Sequence, residues 1–590
     1  MTVLGAQAQG TTPDNTKNQV AIRLSDETRY YDTDGVESIG IDADKVTVRL
    51  ANGSTVYDGT VKSISFCKAL KEKVTIAEAR GWQESAYVKF GLIEGAKSYH
   101  VYIKGGGNDT YTKIDHQLVR NYGTYGRADV VGLAAADDYA IKVVPVGADD
   151  KEQTDAAAEA TGIAVRAYDR SGYAHFDYDS GVGAYKNDGT LKQGAVVVYV
   201  TAGTAKTVKA RLNSGEFTGL QAILTAFEKG NVTTPLAVRI IGTVNASDVD
   251  TFGSKEEGLQ IKGKKANSEL NITIEGIGDD ATVRGFGFLC RKTKSVEFRN
   301  FGIMRCMDDG ISLDTDNSNI WIHNIDVFYG KHGSGDHAKG DGAVDVKSDS
   351  KFVTLSYCHF WDTGKSNMFG MKSETGPNYI TYHHNWFDHS DSRHPRIRTM
   401  SVHAYNNYYD GNAKYGIGVT TGASCFAENN YFRHAHNPML SSKQGTDAKG
   451  SGTFSGEDGG IIKSFGNVYA ETGGSSYYVP IAWQQNSTSF DCYEAATRSE
   501  QVPETVKTLA GGTTYHNFDT DPQLIYSYTP DAAADVPALV TGAYGAGRLN
   551  HGDCIFTFSN DTDDTDYGVN TALENLIDNY QPTLVGFFDE

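Results

Sequence analysis

Three patterns of apolar and polar positions follow one another along the chain. The first lies in residues 46–57, which read VTVRLANGSTVY and alternate between apolar and polar on both sides of Asn52-Gly53. An Asn-Gly pair between two alternating segments is typical of a β-hairpin with a type I′ turn. We therefore predict a small β domain over residues 1–72.

The second pattern begins near residue 73 and consists of longer strands. In the segment SYHVYIKG, the residues Tyr99, Val101 and Ile103 occupy every second position, which places them on one face of a strand. The pattern resembles a fibronectin type III or similar immunoglobulin-like sandwich, with Tyr139 at the position of its tyrosine corner. We predict such a domain over residues 73–168 and interpret it as a spacer rather than a binding module.

The third pattern repeats, and it runs from residue 169 to residue 590. Short apolar stretches are followed by Asn, or by Cys in its place, and then by aromatic residues, in CHFW, NWFD, NYYD, NYFR and NVYA. The residues Asn385, Asn407 and Asn430 of this motif are 22 and 23 residues apart. A period of about 20–25 residues without helical periodicity is typical of a solenoid of stacked β coils. We expect the Asn side chains to bond from coil to coil and the aromatic side chains to stack inside.

The composition narrows the class of protein. The chain of 590 residues has 65 Gly, 34 Tyr and 25 Phe but only 12 Pro, as expected of an ordered, turn-rich β protein with several domains. Its formal net charge of −20 disfavours nucleic acid and anionic membranes as partners. An anionic ligand would therefore have to meet a local cluster of basic residues or a bound cation.

The cysteines indicate whether a metal or redox motif is present, and the start of the chain bears on the location of the protein. The seven cysteines are scattered without a C-x-x-C pair, so they give no sign of a zinc or redox motif; we interpret them mostly as buried thiols, with one or two disulfides as the alternative. No apolar run approaches the ~20 residues of a membrane-spanning helix. Residues 1–10 lack the charged and apolar regions of a signal peptide. We nevertheless expect a secreted or cell-surface protein, with a cytoplasmic location as the alternative.

Acidic residues with a common orientation occur within the solenoid. Asp341 and Asp345 are four positions apart in DGAVDVK, so a strand would point both to the same face, and Asp309 in MDDGISLD belongs to a neighbouring coil. Three converging carboxylates repel one another unless a cation neutralises them, and oxygen ligands favour Ca²⁺ over zinc. A solvated acidic surface is the alternative interpretation of these three residues alone.

Basic residues follow within the same stretch of sequence. Lys365 lies in DTGKSNMFG, and Arg393 and Arg398 flank Pro395 in RHPRIR, where an extended strand would present Arg side chains suited to carboxylates. Taken alone, the RHPRIR motif could instead form a row of ion pairs on the protein surface. Beside the acidic residues, however, the motif predicts a mixed site in which Ca²⁺ and basic side chains together bind an anionic sugar acid.

The order of these motifs resembles that of pectate lyases of polysaccharide lyase family 1. The similarity covers roughly residues 190–470 and rests on NITIEGIGDDATVRGFG, SNIWIHNIDVF, DGAVDVK, ITYHHN and the R-x-P-x-x-R segment. It implies a right-handed parallel β-helix. It also implies calcium-dependent eliminative cleavage of α-1,4-linked polygalacturonate to 4,5-unsaturated oligogalacturonides.

The resemblance further implies roles for individual residues. Three acidic residues correspond to the calcium ligands, namely Asp309, Asp341 and Asp345. Four basic residues correspond to groups that act on the substrate: the proton abstractor Arg393, the activating Lys365, and the substrate-binding Lys347 and Arg398, with Lys365 and Arg398 serving both binding and catalysis. Because a guanidinium ordinarily keeps its proton, the base role requires neighbouring positive charges, and we expect alkaline conditions to favour activity.

The sequence departs from the family pattern at several positions. Met307 and Thr420 replace an Asp and an Arg found in relatives, which weakens the case for a supplementary calcium ion and for one substrate contact. We interpret His383-His384 as structural, because the pair adjoins the Asn repeat. The Gly-rich segment 332–337 we interpret as a flexible loop rather than a metal site.

Three other functions compete with this interpretation. A pectin lyase acting on methyl-esterified pectin needs no cation, and a polygalacturonase hydrolyses with carboxylic acids and without an Arg base. A non-catalytic polysaccharide-binding adhesin would retain its ligand without turnover. The complete set of acidic and basic positions favours pectate lyase over all three, and we expect a monomer.

Overall fold

A computed structural model describes residues 18–588, apart from residues 26, 43–44, 52, 59–60, 68–71, 450–453 and 473–478. It contains two compact units, one of residues 1–167 and 584–590 and the other of residues 168–583. The division lies near the predicted start of the solenoid, whereas the residues from Leu584 onward, predicted as its end, group with the first unit. The predicted boundary near residue 72 and the fibronectin-like assignment stay predictions.

The first unit consists of short antiparallel strands. Their bounds are β1 Gln19–Arg23, β2 Thr28–Asp32, β3 Val36–Asp42, β4 Lys45–Leu50, β5 Gly53–Asp58, β6 Ser63–Cys67, β7 Ile76–Gly81, β8 Ser85–Gly91, β9 Ser98–Gly105, β10 Asn108–Lys113, β11 Val119–Asn121, β12 Tyr125–Val131, β13 Ala136–Val146 and β14 Ala158–Val165. Short 3₁₀ helices occupy Thr33–Gly35, His116–Leu118 and Thr154–Ala156. The last strand of the chain, β45 Gly586–Phe587, pairs with β11.

Two small sheets and a sandwich account for these strands. Over the described residues, the small sheets are β2-β1-β6 and β3-β4-β5, and the sandwich sheets are β10-β9-β13-β14 and β45-β11-β12-β8-β7. The predicted hairpin is present, with Leu50 of β4 opposite Gly53 of β5, while Asn52 at its turn lies outside the described residues. Tyr139 donates a hydrogen bond of 2.9 Å to the carbonyl of Ala134, as a tyrosine corner does.

The second unit is a solenoid of mostly parallel strands. Their bounds are β15 Val196–Val200, β16 Lys209–Leu212, β17 Gly215–Thr218, β18 Leu236–Ile240, β19 Thr243–Asn245, β20 Gly258–Lys262, β21 Ser268–Gly276, β22 Thr282–Arg284, β23 Gly287–Arg291, β24 Thr293–Arg299, β25 Gly302–Met304, β26 Ile311–Leu313, β27 Ser318–His323, β28 Asp326–Val327, β29 Gly342–Val346, β30 Lys351–Ser356, β31 His359–Trp361, β32 Lys365–Phe369, β33 Ile380–His383, β34 Trp386–Asp388, β35 Arg396–Arg398, β36 Ser401–Tyr405, β37 Tyr408–Asp410, β38 Ile417–Thr420, β39 Ser424–Glu428, β40 Tyr431–Arg433, β41 Met439–Ser441, β42 Ile461–Phe465, β43 Val468–Ala470 and β44 Tyr493–Glu494.

The helices of this unit are short. The α-helices are α1 Leu220–Thr225, α2 Val536–Val540, α3 Asn560–Asp563 and α4 Thr571–Asp578. The 3₁₀ helices are Tyr173–His175, Ala226–Lys229, Ala246–Asp248, Gly335–His337, Asp447–Lys449, Phe518–Thr520, Ala533–Asp535 and Leu549–His551.

Three long parallel sheets run along the solenoid. Counted over the described part of the chain, they have 11, 9 and 8 strands: β15-β18-β21-β24-β27-β30-β33-β36-β39-β42-β44, β19-β22-β25-β28-β31-β34-β37-β40-β43 and β20-β23-β26-β29-β32-β35-β38-β41. The chain visits the sheets in turn, so each coil adds one strand to each sheet. Val353, Ile380 and Val402 stand opposite one another in successive coils and are fully buried. The fold is therefore the predicted parallel β-helix.

Asn side chains form the predicted ladder. Asn385 Nδ2 donates to Asn407 Oδ1 at 2.9 Å, and Asn407 Nδ2 donates to Asn430 Oδ1 at 3.0 Å. The inward aromatic residue is the second one after each Asn, so Phe387 stacks on Tyr409 with ring centroids 5.2 Å apart. These bonds satisfy polar groups at the bends that no sheet reaches, which confirms the interpretation of the repeat as structural.

The cysteine side chains are also structural. The six that are described are free thiols and buried, namely Cys290, Cys306, Cys358, Cys425, Cys492 and Cys554. This confirms their interpretation as small apolar residues; the side chain of Cys67 lies outside the description.

A buried charge cluster ties the C-terminal segment of the second unit to the solenoid. Asp564 accepts hydrogen bonds of 2.6 and 2.8 Å from Arg433 and lies 3.1 Å from His389 Nε2. On the other side of the ring, His389 Nδ1 lies 2.7 Å from Asp388 Oδ1. Burial alone would lower the pKa of His389, but the two carboxylates outweigh it and raise the pKa to about 10.

The variant His389→Gln should therefore lose a pH-dependent part of the stability. Because folding raises the pKa from its ordinary 6.5, protonated His389 stabilises the protein fully below pH 6.5, and this contribution is lost as the pH rises toward 10. We expect the free energy of unfolding to fall by on the order of 3 kcal/mol in the variant at pH 6, and by less at pH 10. Urea unfolding followed by circular dichroism at both pH values measures this; an equal loss at both would contradict it.

Candidate active site

The site residues predicted from the sequence lie in the strands of one sheet of the solenoid or within a few residues of them. It is the sheet that contains β26, β29, β32 and β35 as neighbours, and we call it the site sheet. Asp309 lies two residues before β26, Asp341 directly before β29, and Lys365 opens β32. Because the strands are parallel and in register, Gly342 stands opposite Lys365, and residues distant in sequence meet on one surface.

Two of the predicted calcium ligands meet around a lysine. Lys347 Nζ donates to Asp309 Oδ2 at 2.5 Å and lies 3.5 Å from Asp345 Oδ2. Backbone amides hold the other oxygens, since Gly342 N donates to Asp309 Oδ1 at 3.2 Å and Met368 N to Asp345 Oδ1 at 3.1 Å. Both carboxylates are thus fixed in place by the sheet itself.

The close approach of these carboxylates depends on a glycine. A Cβ atom at Gly342 would lie 2.6 Å from Asp345 Oδ1 and 2.7 Å from Asp309 Oδ1, so a larger residue would displace one of them. Burial and the Asp309 charge raise the pKa of Asp345 to about 7, although Lys347 and Arg393 oppose this. The site therefore gathers more negative charge than its neighbouring lysine neutralises.

Two further carboxylates, which the sequence analysis missed, stand beside Asp309. Side-chain oxygens of Glu257, Asp308 and Asp309 lie within 4.8 Å of one another. Burial, together with the charges of Asp309 and Asp341, raises the pKa of Asp308 to about 6. Asp308 could have been found from its place beside Asp309 in the sequence, whereas Glu257 belongs to an earlier coil and no motif marks it.

Asp341 has a different set of contacts from Asp309 and Asp345. Its Oδ1 lies 2.8 Å from Lys365 Nζ, and its Oδ2 lies 3.7 Å from His337 Nδ1. Burial would raise the pKa of Asp341, but Lys365, His337 and Arg393 together lower it. The structure thus brings Asp341, one residue before β29, to Lys365 and His337.

Lys365 is almost fully buried, with 6% of its surface exposed. Besides Asp341, its ammonium lies 3.4 Å from Asp336 Oδ2 and 3.2 Å from His337 Nε2. These contacts come from the Gly-rich segment that the sequence analysis interpreted as a loop. That segment, much of it exposed, covers the lysine from outside.

Arg393 precedes β35 and differs from the other basic residues of the site in its contacts. Its backbone has a φ of 63°, the left-handed region that non-glycine residues adopt mainly at constrained sites. Among the described residues, no hydrogen-bond or ion-pair partner of its guanidinium is present. The extended segment expected from RHPRIR is restricted to β35, where Arg396 and Arg398 face outward and Ile397 is fully buried.

Arg398 is held by an acidic residue from a long insertion. Its Nε donates to Glu457 Oε2 at 2.9 Å, and Lys372 Nζ lies 2.5 Å from Glu457 Oε1. Burial would raise the pKa of Glu457, but the bonds from Arg398 and Lys372 lower it strongly. Arg396 Nη2 lies 3.6 Å from the same carboxylate. Sequence reasoning missed Arg396 and Glu457, and Arg396 could have been found from its two-residue spacing to Arg398.

The paired histidines lie away from this site. His383 ends β33, a strand of the 11-stranded sheet, and stacks on Tyr405 at 4.8 Å, while His384 Nε2 lies 2.9 Å from Asp531 Oδ2. Both are buried in packing contacts, which agrees with their interpretation as structural.

The fold and the site define a parallel β-helix protein with carboxylates, lysines and an arginine gathered on one sheet. Such a surface is suited to an anionic sugar chain. The family model described as pectate lyase matches residues 157–549, more than half of the chain. The chain belongs to the pectate lyase family.

Comparisons with individual proteins give the same family. A pectate trisaccharide-lyase from Bacillus licheniformis is 30% identical over 225 residues, which cover 37% of this chain and 62% of that protein. Pectate lyase C from Dickeya chrysanthemi is 28% identical over 330 residues, which cover 53% of this chain and 78% of the relative. The match thus spans less than two thirds of the first of these relatives.

Solved structures of pectate lyases also align with the chain. A pectate lyase from a Bacillus species, crystallised with trigalacturonate, aligns over 64% of this chain and 99% of its own, with 22% identity and a TM-score of 0.44. Pectate lyase II from Xanthomonas campestris aligns over 65% of this chain and 100% of its own, with 21% identity and a TM-score of 0.42.

Proposed function

We propose that the protein is a pectate lyase that cleaves α-1,4-linked polygalacturonate by calcium-dependent β-elimination. The observation that carries the proposal is the guanidinium of Arg393, which has no hydrogen-bond or ion-pair partner among the described residues and lies near Lys365 and the Asp309–Asp345 pair. The products would be 4,5-unsaturated oligogalacturonides. Membership in the pectate lyase family supports the substrate and the reaction class.

The carboxylates of the site sheet fit a calcium ion. They supply only oxygen donors, and backbone amides hold Asp309 and Asp345 close together, with a mutual repulsion that Lys347 relieves only in part. We infer that Asp309, Asp341 and Asp345 hold the ion, with Asp308 and Glu257 beside them. When bound, calcium would polarise the substrate carboxylate and stabilise the charge that builds on it.

The basic residues would perform the proton chemistry. Elimination removes the proton at C5 of the sugar and breaks the C4–O bond, after which water protonates the leaving oxygen. Arg393 would take the C5 proton, because its guanidinium is not engaged by a carboxylate and other cationic side chains stand near it. Lys365 would stabilise the developing charge on the uronate, and Lys347 and Arg398 would hold neighbouring carboxylates.

The substrate also bears on where the protein acts. Pectate is an extracellular polymer that does not cross membranes, so we propose that the protein works in the medium or at a cell surface. No helix in the described segments is long and apolar enough to span a bilayer.

Incubation of the full chain with polygalacturonate and Ca²⁺ should produce the ultraviolet absorbance of an unsaturated uronate. We expect excess chelator to abolish the signal and esterified pectin to give a weaker one. Absence of a signal despite binding would indicate a non-catalytic adhesin. A signal that resists chelator and grows with esterification would indicate a pectin lyase.

A further inference from the structure

A cavity of about 360 Å³ opens where the strands of the site sheet turn into those of the 11-stranded sheet. Its wall is built from the turns that follow β20, β26, β29 and β32. Backbone bonds join these turns from coil to coil, since Asn267 N donates to Asp316 O at 3.0 Å and Phe352 N to Asn378 O at 2.9 Å. A volume of this size suits a small ligand or one unit of a larger one.

The cavity is separate from the proposed active site. Asp341 precedes β29, whereas Asp349 follows it, and a strand of five residues spans roughly 16 Å. Lys365 and Arg393 line a different cavity, of about 400 Å³, which shares no described residue with this one. A ligand bound between the turns would therefore not contact Lys365 or Arg393.

The polar groups of the wall are mainly hydrogen-bond acceptors. Asn378 is 5% exposed, and its Nδ2 donates to Ser350 O at 3.0 Å, but its Oδ1 has no hydrogen-bond partner among the described residues. The Oδ1 of Asn267 is also buried, and it too lacks a partner in the described part of the chain. A buried acceptor without a donor is costly unless a ligand supplies one, so the wall favours a ligand that is rich in hydroxyl groups.

Two carboxylates and one ammonium set the charge of the wall. Asp349 Oδ1 accepts hydrogen bonds of 2.6 and 3.1 Å from Thr375, while the side chain of Asp316 bonds to none of the described residues. Lys351 forms no ion pair within the described segments, and its Nζ lies 5.6 Å from the centroid of the Phe352 ring. The wall thus carries a net negative charge, which disfavours a uronate and distinguishes the ligand of this cavity from pectate.

Two aromatic rings complete the wall. Phe352 and Tyr379 lie in successive coils, with ring centroids 6.1 Å apart and ring planes at 14° to each other. Both are partly exposed and have positive φ values of 51° and 58°, which bulky residues adopt only where the surrounding structure imposes them. Partly exposed rings beside acceptors are suited to the apolar C–H groups and the hydroxyls of a sugar, whereas a metal ion would be held by the oxygen atoms alone.

We propose that this cavity binds a neutral sugar unit of a polysaccharide, outside the active site. Asp316, Asp349 and the Asn378 amide accept hydrogen bonds from its hydroxyls, and Phe352 and Tyr379 pack against its ring. Such a site attaches the protein to a neutral polymer while the site sheet remains open to pectate. The inference goes beyond the proposed function and does not depend on it, because it uses none of the residues assigned to catalysis.

The test measures the binding of neutral tetrasaccharides to the full chain by calorimetry in excess chelator. Cellotetraose and galactotetraose are the probes, since both present hydroxyls and carry no charge. Tyr379→Ala removes one ring of the cavity, and Asp316→Ala removes one acceptor without disturbing a side-chain contact of the described residues. The affinity of each variant for the probes is compared with that of the wild type.

Three control variants leave the cavity intact. Asp188→Ala removes an exposed carboxylate that pairs with Lys186 at 3.1 Å outside the cavity. Tyr567→Ala removes a ring from the other cavity, which Lys365 also lines. Arg393→Ala removes the proposed base, so the measurement with this variant shows whether sugar binding is independent of catalysis.

We expect the wild type to bind at least one probe, and Tyr379→Ala and Asp316→Ala to bind it about fivefold or more weakly. The controls should keep the wild-type affinity, and Asp316→Ala should bind tetragalacturonate as the wild type does.

No binding of either probe by the wild type would overturn the proposal, as would unchanged affinity in both cavity variants. An equal loss in Tyr567→Ala would place the sugar beside Lys365 and would also overturn it. Binding that appears only after Ca²⁺ is added would identify a cation site in place of a sugar site. If polygalacturonate is not cleaved, the proposed function fails, and weaker probe binding by the cavity variants still supports the sugar site.

Discussion

Replacement of Arg393 by alanine should reduce kcat on polygalacturonate by about 10³-fold while the fold is retained. A positioned general base contributes roughly 10²–10⁴ in rate, and no other described side chain of the site combines an unpaired basic group with this position. Within the described part of the chain Arg393 makes no ion pair, so its removal should leave the melting temperature nearly unchanged.

A matched control isolates this effect. Arg291 lies on β23 of the same sheet, is 45% exposed at its side chain and pairs with Asp314 at 2.6 Å. Arg291→Ala should retain wild-type kcat, since a surface ion pair contributes little. The rate is read from the ultraviolet absorbance of unsaturated product. If Arg393→Ala kept more than about a tenth of the wild-type kcat, Arg393 could not be the base.

If Arg393 is the base, activity and stability should depend on pH in opposite directions. A guanidinium is a base only when neutral, so the rate should rise with pH on the alkaline side. The charge cluster around His389 acts in the opposite sense, because its contribution to stability is lost as the pH rises toward 10. Initial rates should therefore continue to rise at pH values where the protein no longer survives long incubation.

The repeat and the location of the site could be predicted from the sequence because both depend on local spacing. The interval between Asn385 and Asn407 sets one coil, and the ladder bond between them follows from that interval. The same regularity places Asp345 and Lys365 on neighbouring strands. Parallel stacking turns spacing in sequence into proximity in space.

Other parts of the site could not be predicted because they come from insertions or from distant coils. Glu457 reaches Arg398 from a loop whose path no periodicity specifies. The contact between Lys347 and Asp309 likewise depends on side-chain packing rather than on spacing. Tyr567 lies far beyond the repeat, and no spacing in the sequence places it in the wall of the cavity that Lys365 and Arg393 also line.

Removal of divalent cations should lower the rate of elimination by at least about 100-fold, and added Ca²⁺ should restore the rate. Among the carboxylate variants, Asp309→Ala should lower the calcium affinity most, by about 10-fold or more. The reason is that Asp309 belongs both to the pair with Asp345 and to the group with Asp308 and Glu257. Asp308→Ala tests whether Asp308, which was not predicted from the sequence, contributes to calcium binding.

Calorimetric titration with Ca²⁺ gives affinities that do not depend on turnover, and the calcium concentration for half-maximal rate gives a second measure. Asp314→Ala is the control, since Asp314 forms a surface pair with Arg291. Close carboxylates repel one another, so removing one of them also relieves repulsion among the others. We therefore expect Asp308→Ala to lower the calcium affinity less than Asp309→Ala does. Full activity in excess chelator would show that the carboxylates only pair with the basic side chains and bind no calcium. Lys365 would then have to stabilise the uronate charge without a cation.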